Sequence, residues 1–278
     1  AFVFDADIEG AFDHVQQAVV LDKLQTFPAL RQAINAWLTA GVMDGNTYFP
    51  SETGIAQGGV LSPLLMNIVL HGMEAVVMQG SDNGRSRGQP LLVRYADDFV
   101  ILHADLGELQ QAVRRVKQWL ARMGLHVNAE KTRITHTLTP YQGQIGFDFL
   151  GFNIRQKPRV KTIIIPSQEA SKRHLAAIDQ RLRQLQMAPQ AQVIAELNPL
   201  IVGWVAYYNG VVPEAIISRY DELVEQRLIN WASKRHRGKA RDWLLARYWH
   251  AVGKQGRVFA THDGVQLRRY RQMSILRG

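Results

Sequence analysis

The sequence predicts an α+β fold in two parts, an antiparallel sheet backed by helices over residues 1–155 followed by an all-α domain over 156–278. Three observations lead there. Up to about residue 154, short apolar strand patterns alternate with stretches of helical period, whereas from about 168 the period is helical. The charge changes at the same place: residues 1–154 carry 11 Lys or Arg against 15 Asp or Glu, net −4, and residues 155–278 carry 22 against 9, net +13. Two acidic clusters also lie within strand patterns of the first part, where an apolar sheet by itself has no use for them.

The elements follow in order. Phe2-Val3-Phe4-Asp5-Ala6-Asp7-Ile8 reads as a strand. Asp13 can cap a helix through Val15, Val19, Leu21 and Leu24, and Pro28 begins another that runs to Gly41. Asp44-Gly45 marks a tight hairpin between Val42-Met43 and Thr47-Tyr48-Phe49. Ser62-Pro63 pairs a cap with a first-turn proline and opens one helix through Leu65, Ile68, Val69, Gly72, Met73 and Val76. Residues 80–89, rich in Gly, Ser and Arg, read as a loop. An apolar hairpin follows, Leu91-Leu92-Val93 and Phe99-Val100-Ile101-Leu102, bent at Tyr95-Ala96-Asp97-Asp98. Asp105 and Glu108 have capping-box spacing ahead of Leu109, Val113, Val116 and Leu120, and Gly124 stops that helix. Strand patterns then cover Leu125 to Val127, Thr132 to Thr137, Phe147 to Leu150 and Phe152 to Ile154. Beyond 168, apolar residues recur at helical spacing from Leu175 to Leu185, Val193 to Tyr208 and Ile216 to Trp231.

Adjacent aspartates repel, and on a strand only one of Asp97 and Asp98 can face inward, so the pair is stable chiefly where cations neutralise it. If the first strand lies beside this hairpin, Asp7 and Asp97 converge on a divalent ion, as an oxygen-rich Mg²⁺ site requires. A calcium-like surface site or a structural turn is the bland alternative.

Composition narrows the class. No apolar run approaches the ~20 residues of a membrane span, and the absence of cysteine excludes disulfides and thiolate–zinc sites and suits a reducing cytosol, so a cytoplasmic location is expected. The chain begins at Ala1 inside a strand pattern, with no signal or transit peptide, and reads as a fragment of something longer.

Five motifs now stand in order: Asp7-Ile8-Glu9-Gly10-Ala11-Phe12-Asp13; Gln57-Gly58-Gly59-Val60-Leu61-Ser62-Pro63; Tyr95-Ala96-Asp97-Asp98; Gly124-Leu125 with Asn128-Ala129-Glu130-Lys131-Thr132; and Phe149-Leu150-Gly151-Phe152. This series resembles the palm of reverse transcriptases, and most of all the reverse transcriptase/maturase proteins encoded by group II introns. Leu197-Asn198-Pro199 through Gly203-Trp204, Tyr207-Tyr208 and Asn209-Gly210 is similar to their thumb, or maturase, domain, so the resemblance covers nearly the whole chain. It departs from the family at its start, where the fingers domain that clamps the nucleotide triphosphate is expected to be absent from these residues. Nothing after Gly278 supplies the DNA endonuclease module of some members, so no strand cleavage is expected. Weak or absent extension is expected of these 278 residues alone.

The resemblance implies an RNA-directed DNA polymerase acting by two-metal nucleotidyl transfer on an RNA template with a DNA primer and deoxynucleoside triphosphates, with binding and splicing of group II intron RNA and no membrane. It implies two Mg²⁺ ions, with Mn²⁺ as a substitute, held by Asp7, Asp97 and the Ile8 carbonyl, with Asp98 as a further ligand or a support of the hairpin. Lys131 is placed near the leaving pyrophosphate, Phe12 beneath the nucleotide sugar, Gln57 and Gly58 against substrate, and Phe149, Leu150 and Gly151 at the primer terminus. Read from residues alone, Phe12 packs a strand-to-helix corner, the glycines form a flexible loop, Lys131 is solvated, and the aromatics near Gly151 are core. Alternatives are an RNA-binding maturase in which polymerisation is secondary, and a retron-like or CRISPR-associated reverse transcriptase.

In the basic half, Lys234-Arg235-His236-Arg237-Gly238-Lys239-Ala240-Arg241 holds five Lys or Arg in eight residues, and Arg268-Arg269-Tyr270-Arg271 adds a second cluster. Such cations bind phosphates with little sequence preference and steep salt dependence. Most of Trp204, Tyr207, Tyr208, Trp231, Trp243 and Trp249, recurring at helical spacing, are assigned to the core.

Overall fold

The computed structural model describes residues 1–51, 53–56, 58–79, 88–252 and 256–275. The chain folds as two compact units, residues 1–149 with 155–161, and residues 150–154 with 162–278. In chain order the first part contains β1 (Phe2–Asp7), α1 (Ala11–His14), α2 (Gln17–Lys23), α3 (Pro28–Thr39), β2 (Val42–Asp44), β3 (Thr47–Phe49), α4 (Ser62–Leu70), α5 (Met73–Met78), β4 (Leu91–Tyr95), β5 (Asp98–His103), α6 (Leu106–Ala121), β6 (Arg133–His136) and β7 (Phe147–Phe149). The strands β8 (Phe152–Lys157) and β9 (Val160–Pro166) carry the chain back and forth between the units.

The centre of the first unit is an antiparallel sheet in the order β4-β5-β1-β6. Alternation along β1 sends Phe4, Ala6 and Ile8 into the core, and Phe99 and Ile101 of β5 join them. Helix α6 covers this face, with Leu109, Ala112, Val113, Val116 and Leu120 buried at helical spacing. It starts where Asp105 accepts the Glu108 backbone N–H at 3.0 Å, and it is left at Gly124, whose φ of +76° suits glycine alone.

Several local expectations differ from what forms. The helix expected after Asp13 is two short helices separated by Val15, which is extended and fully buried, so Asp13 sits inside α1 and caps neither. The single helix expected after Ser62-Pro63 breaks at Gly72, where φ is +93°, into α4 and α5. Ser62 caps nothing there; its hydroxyl donates to the Ala56 carbonyl at 2.6 Å. Leu125 to Val127 contributes one bridge, Ile8 to Val127, rather than a strand. Most of the loop expected over 80–89 lies outside the described residues.

The second unit packs α7 (Gln168–Gln184), α8 (Gln190–Tyr208), α9 (Glu214–Arg235), α10 (Arg241–Tyr248) and α11 (Tyr270–Ile275) around Ile178, Val193, Leu197, Ile201, Val224 and Tyr270. It is not all-α as expected. Between α10 and α11 lies a hairpin of β10 (Trp249–Ala251) and β11 (Arg257–Phe259), in which Trp249, Val258 and Phe259 are buried, so these strands serve the core at a length too short for alternation to reveal. No helix of the described residues is long and apolar enough to cross a membrane.

Candidate active site

Strand β1 runs antiparallel to β5 with Asp7 opposite Asp98 and Asp5 opposite Val100. The other face of β1 carries Val3, which is fully buried, and the partly exposed Asp5 and Asp7, and Tyr95 of β4 stands opposite Asp98. The register sets where Asp97 and Asp98 stand. Ala96, in the left-handed region at φ +54°, makes the bend and leaves Asp97 outside both strands, while Asp98 opens β5 directly across from Asp7. The guanidinium of Arg94 holds the bend, donating to the Ala96 carbonyl at 3.0 Å and to Asn67 Oδ1 at 2.9 Å.

Burial, then Asp7, then Asp97 push the carboxyl of Asp98 above the ordinary carboxylate range, against the pull of Lys131. Lys131 Nζ donates to Asp7 Oδ2 at 2.8 Å, and this hydrogen bond is the main cause of its raised pKa. Asn128 sets up the contact. Its backbone N–H donates to the Asp7 carbonyl at 2.8 Å, and its side-chain oxygen accepts the N–H groups of Glu130 and Lys131 at 3.0 and 3.2 Å, an Asx turn that aims the lysine back at β1. One step along β1, Asp5 is pushed up to about 6 by burial, a rise that the Arg133 guanidinium at 3.3 Å limits and that Asp148 and Asp98 reinforce.

Asp7, Asp97 and Asp98 are oxygen donors set against one nearby ammonium, the chemistry of a hard divalent cation. Among the described residues no three His, Cys, Asp or Glu groups are gathered around one ion position. The donor type and excess negative charge fit such an ion. The backbone bridge from Ile8 to Val127 uses the Asp7 carbonyl and the Glu9 N–H, which leaves the Ile8 carbonyl out of that ladder, while its side chain is buried in the core.

Phe12 is half-buried against the core, and its carbonyl accepts the Ile55 N–H at 2.6 Å. That contact requires Gly54: a Cβ there meets the Phe12 carbonyl oxygen at 2.6 Å, and φ is +80°. Gln57 lies outside the described residues, while Gly58, at φ +80°, has open space where a Cβ would stand. In the second unit, Leu150 and Gly151 have φ of +50° and +78°, and their carbonyls accept the hydroxyls of Tyr207 at 2.7 Å and Tyr208 at 3.0 Å. Phe152 stacks on Tyr207 with ring centroids 5.3 Å apart, so the aromatics after the bend are partners of α8; Phe149 is half-buried in the first unit.

Of the basic cluster, Lys234, Arg237, Lys239 and Arg241 are exposed. Arg235, half-buried, commits one guanidinium nitrogen to its own unit. It donates to the carbonyls of Gln186 at 3.1 Å and Ala188 at 2.6 Å and lies over the Trp231 ring, tying α9 to the α7–α8 turn. Sequence reasoning overlooked Asp5, Arg94, Asn128 and Arg133 as members of the site. The two-residue period linking Asp5 to Asp7 was the available signal for the first.

The family model described as reverse transcriptase (RNA-dependent DNA polymerase) matches residues 1–154, and that described as group II intron, maturase-specific domain, matches residues 171–249. The group II intron-encoded protein LtrA of Lactococcus lactis subsp. cremoris is 24% identical over a match covering 54% of this chain and 34% of its own. Protein YkfC of Escherichia coli is 26% identical, covering 56% and 47%. The chain therefore spans between a third and a half of these relatives. Telomerase from Candida albicans in complex with a fragment of telomeric RNA is similar over 88% of this chain and 46% of its own, at 14% identity and a TM-score of 0.46.

Proposed function

The chain belongs to the reverse transcriptase (RNA-dependent DNA polymerase) family, and from that premise we propose that it is the catalytic and RNA-binding part of a group II intron reverse transcriptase/maturase. Divalent-metal dependence comes with the family; we assign the metal as Mg²⁺, replaceable by Mn²⁺. The observation that carries this reading is the pairing of Asp7 with Asp98 across two strands, beside a bend holding Asp97 and under the ammonium of Lys131.

Asp7, Asp97 and the Ile8 carbonyl would hold two such ions, with Asp98, opposite Asp7, beside them. When bound, such ions would supply activation of the primer 3′-hydroxyl and neutralisation of the leaving pyrophosphate. Asp7 and Asp97 orient the reacting oxygens from a rigid strand and its adjoining bend. Lys131 leaves Asp7 when a triphosphate arrives and stabilises or protonates the pyrophosphate. Phe12 closes the space beneath the sugar and disfavours a 2′-hydroxyl, while Gln57 and the open backbone at Gly58 meet the base pair. Phe149, Leu150 and Gly151 support the primer end. Lys234, Arg237, Lys239 and Arg241 contact RNA phosphates, and RNA template, DNA primer, deoxynucleoside triphosphates and intron RNA are the partners.

Primer extension on an RNA template by the full-length polypeptide tests this. Asp97→Asn abolishes extension and leaves RNA affinity close to wild type; retained extension refutes the site. The match of residues 171–249 to the maturase-specific domain favours a second reading, that of a splicing factor in which polymerisation is secondary. It predicts that neutralising Lys234, Arg237, Lys239 and Arg241 reduces splicing more than deoxynucleotide incorporation.

A further inference from the structure

Trp243 breaks the rule its neighbours obey. Trp204, Trp231 and Trp249 are 8%, 3% and 5% exposed, and Leu244, Leu245 and Tyr248 of the same helix pack into the core of the second unit; Trp243 is 38% exposed and does not belong to that core. The indole thus stays partly exposed on a helix whose other large apolar side chains pack inward.

Its surroundings are specific. Lys239 Nζ lies over the Trp243 ring, 5.4 Å from its centroid, Arg247 Cζ lies over it at 5.6 Å, and the His236 ring meets it edge-on at 5.0 Å. His236 is itself held, its Nε2 sitting 2.6 Å from the Tyr248 hydroxyl. Chain geometry sets this arrangement: Gly238, at φ +80°, turns the chain between α9 and α10, which brings Lys239 and His236 back toward an indole on the first turn of α10.

We infer that Trp243 is a stacking platform for one unpaired RNA base, with Lys239 and Arg247 giving up the ring face for the phosphates beside it and His236 fixing the indole plane. Every base has a π-face, so an exposed indole among cations binds a single strand without reading its sequence, whereas a duplex hides its base faces. A lipid surface would need apolar neighbours, and here the neighbours are cations in the half of the chain that carries net +13. The inference rests on the reading of the helical unit as an RNA binder and is independent of the carboxylate site.

The test uses fluorescence anisotropy of the full-length polypeptide with a short unstructured RNA and with an RNA duplex of equal length. Trp243→Ala weakens single-strand binding about tenfold and leaves duplex binding unchanged, while Trp243→Phe retains most of the single-strand affinity. Single-strand affinity unchanged in Trp243→Ala overturns the platform. If Lys239→Gln with Arg241→Gln still weakens both RNAs in that case, the RNA-binding reading stands without it; if those changes also do nothing, that reading falls as well. A second measurement needs no variant: 2-aminopurine in the single strand is quenched when the wild-type protein binds, and bound RNA with no quenching contradicts stacking.

Discussion

Lys131 Nζ and Asp7 Oδ2 are 2.8 Å apart, across 124 positions of sequence, with the lysine two-thirds exposed and the aspartate about one-fifth exposed. The ammonium stands where a cation is required, against a carboxylate that already faces Asp98 across the sheet. Without it, the three carboxylates repel one another and the only ammonium bonded to Asp7 among the described residues is lost. Lys131→Ala therefore lowers the melting midpoint in EDTA, and Mg²⁺ raises that midpoint by more than it does in the wild type, because a ligand of the native state stabilises it. Equal Mg²⁺ responses in the two proteins contradict the arrangement.

Asp5 gives a pH signature. Its pKa is raised from 3.8 to about 6, so between those values the folded state binds the proton more tightly than the unfolded state does. Stability is lost as pH rises through this window, and the deficit, on the order of 2–3 kcal/mol, persists at neutral pH. Asp5→Asn, which keeps an oxygen for Arg133, raises the melting midpoint at pH 8 and changes it little at pH 4. The same shift at both pH values would show that burial of the charge is not the cause.

The Leu150-Gly151 bend is held by left-handed backbone. At Gly151, φ is +78° and an added Cβ meets the Tyr208 hydroxyl at 3.0 Å. Gly151→Ala costs about 1–2 kcal/mol from the backbone alone, and more from the contact. In a Tyr208→Phe background the cost of the alanine shrinks but does not vanish, as urea unfolding of the four proteins measures.

Arg235 and Lys239 separate structural from binding cations. Arg235→Gln strips donors from the Gln186 and Ala188 carbonyls and lowers stability by about 1–3 kcal/mol, with RNA affinity unchanged below the melting range. Lys239→Gln does the reverse. An RNA affinity that falls for Arg235→Gln as it does for Lys239→Gln removes the distinction.

What the sequence disclosed depended on the range of the forces involved. Alternation from Phe4 to Ile8, the continuous apolar run Phe99 to Leu102, helical period from Leu109 to Leu120, and the Asp105–Glu108 cap are local, and each forms as the local pattern dictates. Where tertiary packing decided, the pattern misled: buried Val15 splits a helix, Gly72 breaks another, and β10 and β11 form within a stretch dominated by helices. The site divides in the same way. Asp7, Asp97 and Lys131 stand out as residue types in motifs, but the opposition of Asp7 and Asp98 depends on register, and the Asx turn of Asn128 that aims Lys131 depends on a loop conformation no periodicity encodes. Arg235 shows the limit of counting charges, since a basic run does not reveal which member is spent on neighbouring carbonyls.

The central claim is that Asp7 and Asp97 share divalent cations, and Mn²⁺ titration of the full-length polypeptide followed by electron paramagnetic resonance tests it without recourse to turnover. The wild-type protein binds Mn²⁺ in competition with Mg²⁺, and Asp97→Asn and Asp7→Asn each weaken that binding by roughly tenfold or more. Mn²⁺ bound as tightly by Asp97→Asn as by the wild type contradicts the claim.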